Sequence, residues 1–316
     1  MLSMSELDRF TNLAFMQGDF KKVNTSPSQT ALADWLWMTL THLSSHLNFK
    51  PQLPAIAFKS GIAVHQYFQN VMEGKMKISD VEKQYKLMLD NTVFPEKEKV
   101  KGQFILKVVK QYVINHINML VEISGKDLTD WIPEKRFHDW YDEKYMNQKL
   151  EIVTEGAIDC YNPKLKIFTE HKNRFGSAYL SKAKKNEGKK IYNYRKPSKT
   201  KSPQFTHLIA VAVYAHHLGK DYQPALLYCD EDGVILFNPP NCDDLKPEGL
   251  KYYFNKFIQI NIRRQEMLKM AQGSIKKLAC MVGVDWSEIR NYKDNIFLSH
   301  LHEEDMQKME RFYDGL

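Results

Sequence analysis

Residues 154–172, TEGAIDCYNPKLKIFTEHK, constrain what this chain can fold into more than any other stretch. An apolar–polar alternation begins at Leu150 and ends in Ala157-Ile158-Asp159, the pattern of a half-buried strand. Asn162-Pro163-Lys164-Leu165 reads as a turn, because proline presets φ and asparagine tolerates tight bends. A second β-prone run, Leu165-Lys166-Ile167-Phe168, leads into Glu170-His171-Lys172. Strand side chains alternate between faces, so Glu170 and Lys172 point the same way. With the turn centred between Pro163 and Lys164, Asp159 lies opposite Phe168 and shares the face of Glu170. The two carboxylates are then diagonal cross-strand neighbours, roughly 7–8 Å apart at the backbone, with a lysine beside them. Oxygens from such a pair can share one hard divalent cation. The plain alternative is a solvated hairpin carrying ordinary surface charges.

The remaining sequence sets the context. At 316 residues and 43% hydrophobic, the chain can form one large domain or two modest ones, and its sixteen Tyr and seventeen Phe argue against disorder. No apolar run approaches the roughly 18–20 residues that a membrane span needs. The start, MLSMSELDRF, has neither a basic n-region nor an apolar h-region, and Glu6 and Asp8 speak against a transit peptide. These features point to the cytoplasm of a bacterial or phage-infected cell, with a mitochondrial location left open. The four cysteines, at 160, 229, 242 and 280, form no CxxC pair, so zinc and thioredoxin-like readings fall away. A net charge of +7 and a pI near 8.9 permit a polyanionic partner without naming one.

Along the chain, residues 1–54 read as helical, opening on the capping-box pattern Ser5-Glu6-Leu7-Asp8. A helix is expected from Ala55 to Glu73, then a short helix and a loop up to Pro95. One long amphipathic helix is expected over Val100–Ile123, with Phe104, Val108 and Tyr112 on one stripe and Ile105, Val109 and Val113 on the next. Glu134–Trp140 reads as a first strand. Between Asn173 and Ser202 stand Arg174, Lys182, Lys184, Lys185, Lys189, Lys190, Arg195 and three further lysines against a single acid, with Tyr179, Tyr192 and Tyr194 interleaved. Such a run is either a solvated loop or a clamp in which cations meet phosphates and tyrosines stack on the bases of a single strand. A buried helix from Pro203 to Gly219, a hairpin over Tyr222–Asn238 and a helix over Leu250–Leu268 follow, with shorter helices to the end. No P-loop is present, so no ATP-driven motor is encoded here.

Gly156-Ala157-Ile158-Asp159 resembles the Gly-x-x-Asp of RecB-like exonucleases, and Glu170-His171-Lys172 resembles their Asp/Glu-x-Lys, within the PD-(D/E)XK nuclease superfamily. Gly61-Ile62-Ala63-Val64-His65 resembles the G-x-x-x-H helix of the same branch, which includes stand-alone phage and mitochondrial-type exonucleases. Two departures stand out. Ile158 occupies the superfamily's nominal proline position, and Ala210 stands four residues before Tyr214, where the branch carries the Gln of Q-x-x-x-Y. Gln204 is near but off that spacing, and His207, His216 and His217 are the nearest polar substitutes. The resemblance implies an α/β fold over residues 55–238, a small mixed sheet flanked by helices in α-β-β-β-α-β order. Helical additions then occupy 1–54 and 239–316. It implies Mg²⁺ or Mn²⁺ bound by Asp159, Glu170, His65 and the backbone carbonyl of His171. Lys172 then acts on the attacking water, and Tyr214 and Glu134 support the site. The expected activity is exonucleolytic hydrolysis of DNA at ends or in single strands, with no protein partner legible. An endonuclease or junction resolvase on the same core, or a non-catalytic nucleic-acid-binding protein, are the alternatives.

Overall fold

A computed structural model describes residues 46–48, 55–125, 128–139, 141, 144–181, 191–281 and 303–316. The helices expected before residue 46, and Lys182, Lys184, Lys185, Lys189 and Lys190, lie outside the described residues. A mixed five-stranded sheet forms the centre, ordered β1 (Ile132–Asp139), β4 (Thr154–Asn162), β5 (Ile167–Asn173), β8 (Gln223–Asp230) and β9 (Gly233–Phe237). Only the β5–β8 pair is parallel, and the crossover between them is helix α5 (Phe205–Leu218). Two further antiparallel ribbons pair β2 (Lys144–Tyr145) with β3 (Gln148–Lys149), and β6 (Ser177–Leu180) with β7 (Tyr192–Arg195).

Helices cover both faces, and each face has its own apolar cluster. On one side α1 (Ile56–Met72), α2 (Val81–Asp90), α3 (Glu96–Leu106) and α4 (Val109–Ser124) bury Val64, Phe68, Tyr85 and Tyr112 with Cys160 and Cys229 of the sheet. On the other, α5 and α6 (Pro247–Ala271) pack Ile209, Val213 and Phe257 on Ile158, Phe168 and Leu226. The helices α7 (Ile275–Met281) and α8 (Glu303–Asp314) add Leu278 and Met309 to that layer. The chain is therefore an α/β protein whose sheet is enclosed between helical layers. Among the described residues, no helix is long and apolar enough to cross a membrane.

Several expected elements differ in extent. The single helix over 100–123 is two helices, α3 and α4, broken where Val108 takes φ −127°. The two halves serve different partners, because α3 packs on α1, α2 and the β6–β7 ribbon while α4 packs on α1, α2 and β8–β9. The buried crossover helix starts at Phe205 with Gln204 as its N-cap, two residues after the proline. Helix α6 runs past both expected ends. The basic stretch after Lys172 is not simply a loop, since it holds β6 and β7. Tyr194 secures that ribbon, stacking on Phe104 at 5.2 Å and donating to Glu231 Oε2 at 2.8 Å.

Candidate active site at a fork in the sheet

Strand β4 pairs with β1 along most of its length, and β5 pairs with β8 over seven residues. Between β4 and β5 themselves only three pairs form, Asn162 with Ile167, Tyr161 with Phe168 and Cys160 with Thr169. Beyond Cys160 and Thr169 the sheet forks. The N–H of His171, which would continue the ladder, instead donates to Asp159 Oδ2 at 2.6 Å. A buried N–H needs an acceptor, and the carboxylate provides one where the strand no longer does.

The same point breaks the alternation of β4. Ile158 packs into the α5-side cluster and Cys160 into the α1-side cluster, although residues two apart on a regular strand share a face. The reversal falls at Asp159. The flanking pairs Pro133–Cys160 and Lys135–Ile158 put Glu134 opposite it, and Glu134 adopts φ +52°. A non-glycine residue in that region is strained, and such strain gathers at functional sites.

The turn between the strands corrects the expected register. It occupies Pro163–Lys166, with Asn162 Oδ1 accepting from the N–H groups of Lys164 and Leu165 at 3.1 and 2.9 Å and Lys166 at φ +54°. Continuing the observed pairs places Asp159 level with Glu170, not with Phe168. The carboxylates are direct neighbours across the fork instead of diagonal ones.

Around them the side chains converge. Lys172 Nζ lies 2.5 Å from Glu170 Oε1, and His65 Nδ1, from α1, lies 3.5 Å from Asp159 Oδ1. Glu170 is 2% exposed, and its Oε2 has no hydrogen-bond partner among the described residues. Burial, and then the neighbouring Asp159 charge, push the Glu170 carboxyl up to about 8 against the pull of Lys172. Burial raises Asp159 as well, against Lys172 and the His171 N–H. Burial works against the Lys172 ammonium, yet Glu170 and Asp159 hold it above its ordinary value. Burial lowers His65, favouring the neutral imidazole that a metal requires.

A buried carboxylate with a spare oxygen, paired with an ammonium and set beside a second, half-buried carboxylate, suits a hard divalent cation. Among the described residues no three His, Cys, Asp or Glu side chains already form a chelating cluster. A cation held by the two carboxylates, with His65 beside them, would keep waters and substrate oxygens as its remaining ligands. Asp159, His65 and Lys172 line a cleft of about 660 Å³ together with Glu134, Arg136, Gln66 and Gln69, and the buried Glu170 carboxyl lies behind its wall, against Lys172. Phe58 and Ile62 stand exposed at the same cleft, at 65% and 50%.

The expected supporting residues fall in several places. Tyr214 is buried beneath the site, and its phenol is raised by burial and then by Glu170 and Asp159. Gly156 is required by packing, since a Cβ there would stand 2.5 Å from Phe137 and 3.3 Å from Tyr214. Gly61, in contrast, is not a close-packing position. A Cβ there would meet nothing within 4 Å, and the residue borders the cleft. The His171 side chain turns away from the cleft's acids, stacking on His116 at 4.5 Å and bonding Thr169 Oγ1 at 2.8 Å.

Ala210 is 0% exposed, so its position belongs to the core and not to the cleft. His216 and His217 stack on Phe254 and Phe137, and His217 also pairs with Asp139, so both serve packing at the far end of α5. Gln204 and His207, at the near end, border Lys172 together with Tyr228, whose hydroxyl meets the Gln204 N–H at 2.9 Å and His207 Nδ1 at 2.7 Å. Sequence spacing gave no sign of this trio, because pairing across the parallel β5–β8 ladder creates it. Of the expected DNA contacts, Arg174 and Arg195 lie beside Lys172, while Tyr192 is half-buried on the ribbon.

No protein-family model matches the chain, and no curated protein does. A solved structure described as "Crystal structure of SSO0001" aligns over 58% of this chain and 86% of its own, at 12% identity and a TM-score of 0.24. A superposition at that score does not define a shared fold.

Proposed function

We propose that the protein is a metal-dependent deoxyribonuclease of the PD-(D/E)XK superfamily, near its RecB-like exonuclease branch, acting on DNA ends or single-stranded DNA. The observation that carries the reading is the fork, which gathers Asp159, Glu170, Lys172 and His65 from three separate elements, with Asp159, Lys172 and His65 at the wall of one open cleft and Glu170 buried against Lys172. The order α1, β1, β4, β5, α5, β8 around a mixed sheet supports it.

Asp159 and Glu170, with His65 and the His171 carbonyl beside them, are the residues that would hold Mg²⁺ or Mn²⁺. When bound, the cation supplies Lewis-acid charge relief and a water nucleophilic near neutral pH. The chain's own residues do the rest. The His171 N–H fixes the Asp159 carboxylate in its rotamer. Lys172, a compact point charge, orients the attacking water and offsets the negative charge that grows on the phosphate oxygens. Glu134 adds to the negative field that draws a cation in, and the buried Tyr214 ring closes the floor to water.

Incubation with linear and circular single-stranded DNA in Mg²⁺ or Mn²⁺ tests this reading. Linear strands should be degraded, circles spared, and chelation should stop the reaction. Cutting of circles indicates an endonuclease on the same core. Binding without metal-dependent cutting leaves a nucleic-acid-binding protein.

A further inference from the structure

Lys172 and Asn173 border two cavities, the acidic cleft on one side and a second, of about 810 Å³, on the other. The second lies between the segment after β5, the β6–β7 ribbon and the first turn of α5. Four cations line it, Lys172, Arg174, Arg195 and Lys196, and no described Asp or Glu does. Two of these are paired with acids outside the cavity, Lys172 with Glu170, and Lys196 with Asp232 and Glu231 at 2.6 and 3.3 Å. Arg174 differs. It is half-buried and donates to the hydroxyls of Thr200 and Ser198, and among the described residues no carboxylate pairs with it. Gln204 and His207 bring the N-terminal end of α5, with its positive dipole end, to the same wall. The wall is held in place, since Tyr194 and Lys196 tie the ribbon to the β8–β9 turn.

A preformed cavity with cations, no acids and a guanidinium lacking a counter-charge matches a phosphate group, whose oxygens a planar fork meets well. We propose that this cavity is a subsite for a phosphate of the bound DNA strand adjacent to the bond cut beside Lys172. The phosphate is either a terminal monoester or the next internal diester. The inference rests on the nucleolytic reading above and adds to it a second anchoring point for the strand.

Binding of short single strands to the protein in Ca²⁺ tests it, comparing phosphorylated with hydroxyl ends at each terminus. The parent protein is set against Arg174→Ala and Ser198→Asp, the second adding a negative charge to the wall without removing the arginine. Each variant should bind about tenfold more weakly, the loss expected for one charge-assisted hydrogen bond. Rescue by Arg174→Lys should be partial. A loss confined to phosphorylated ends assigns the terminal monoester, and an equal loss for all ends assigns the internal diester. Parent-like affinity in both variants overturns the subsite. If the parent binds and cuts DNA while the variants match it, the subsite alone falls. If the parent binds no strand, the nucleolytic reading falls with it.

Discussion

The two cavities that meet at Lys172 are built on opposite principles. The acidic cleft draws Asp159, Glu170 and His65 from β4, β5 and α1 close together at a point where the sheet stops pairing. Glu170 is buried and Asp159 half-buried, and burial raises both, so the fold holds them there against their own solvation. The basic cavity gathers half-buried and exposed cations from the end of β5 and from the ribbon, where charge costs the fold little. A site that binds a cation must store unfavourable charge before the cation arrives. One that binds a polyanion can leave its charges near water.

The largest effect that could break this contrast is catalytic. Asp159→Ala and Lys172→Ala should each remove several kcal/mol of transition-state stabilisation, on the order of a thousandfold in turnover or more. Circular dichroism should show the fold unchanged, and near-normal turnover in either variant would remove the cleft from the chemistry. His65→Ala should raise the Mn²⁺ concentration needed for half-maximal turnover while leaving DNA affinity in place.

Two glycines sharpen the picture at intermediate size. Gly156→Ala presses a methyl against Phe137 and should destabilise by about 1–3 kcal/mol in denaturant titrations. Gly61→Ala meets open space inside a helix and should stabilise by about 0.5–1 kcal/mol. Equal effects at the two positions would contradict their placement in core and cleft.

pH separates the cavities further. Burial and the Asp159 charge push the Glu170 carboxyl up to about 8 in the folded protein, from the ordinary 4.5 of the unfolded chain. The folded state therefore binds more protons at this carboxyl between those values, so its contribution to metal-free stability is full below the lower value and is lost as pH rises through the higher. A bound cation takes the proton's place, so the rise in Tm on adding Mn²⁺ should grow across the same window. A rise independent of pH would mean that the cation binds elsewhere. The smallest effect concerns charge outside the cleft. Replacing Lys184, Lys185, Lys189 and Lys190 with Ala should flatten the log–log salt dependence of single-strand binding by about 0.7 for each phosphate that is no longer neutralised. An unchanged slope would make that segment an ordinary solvated stretch.

Much of this arrangement is legible in the sequence, for local reasons. The strands around Asp159 and Glu170 follow from alternation and from the Asn-Pro turn, and α1 and α5 follow from their apolar runs. The error in register comes from Lys166, which adopts a left-handed φ and belongs to the turn, although the sequence makes it look like strand. The fork was not legible. It depends on how far β4 stays with β1 and β5 with β8, which no residue spacing records. Glu134 reaches the site for the same reason, through a register set by a distant strand. Arg174 was visible only as part of a basic run, because the cavity around it forms when the ribbon folds back on the β8–β9 turn.

Asp159→Asn tests the central claim most directly, because asparagine can still accept the His171 N–H while removing the charge that crowds the Glu170 carboxyl. In metal-free buffer its Tm should rise above that of the parent, and in Mg²⁺ or Mn²⁺ its cleavage of linear single-stranded DNA should be lost. A variant that cuts like the parent, or that loses stability without metal, would contradict the account.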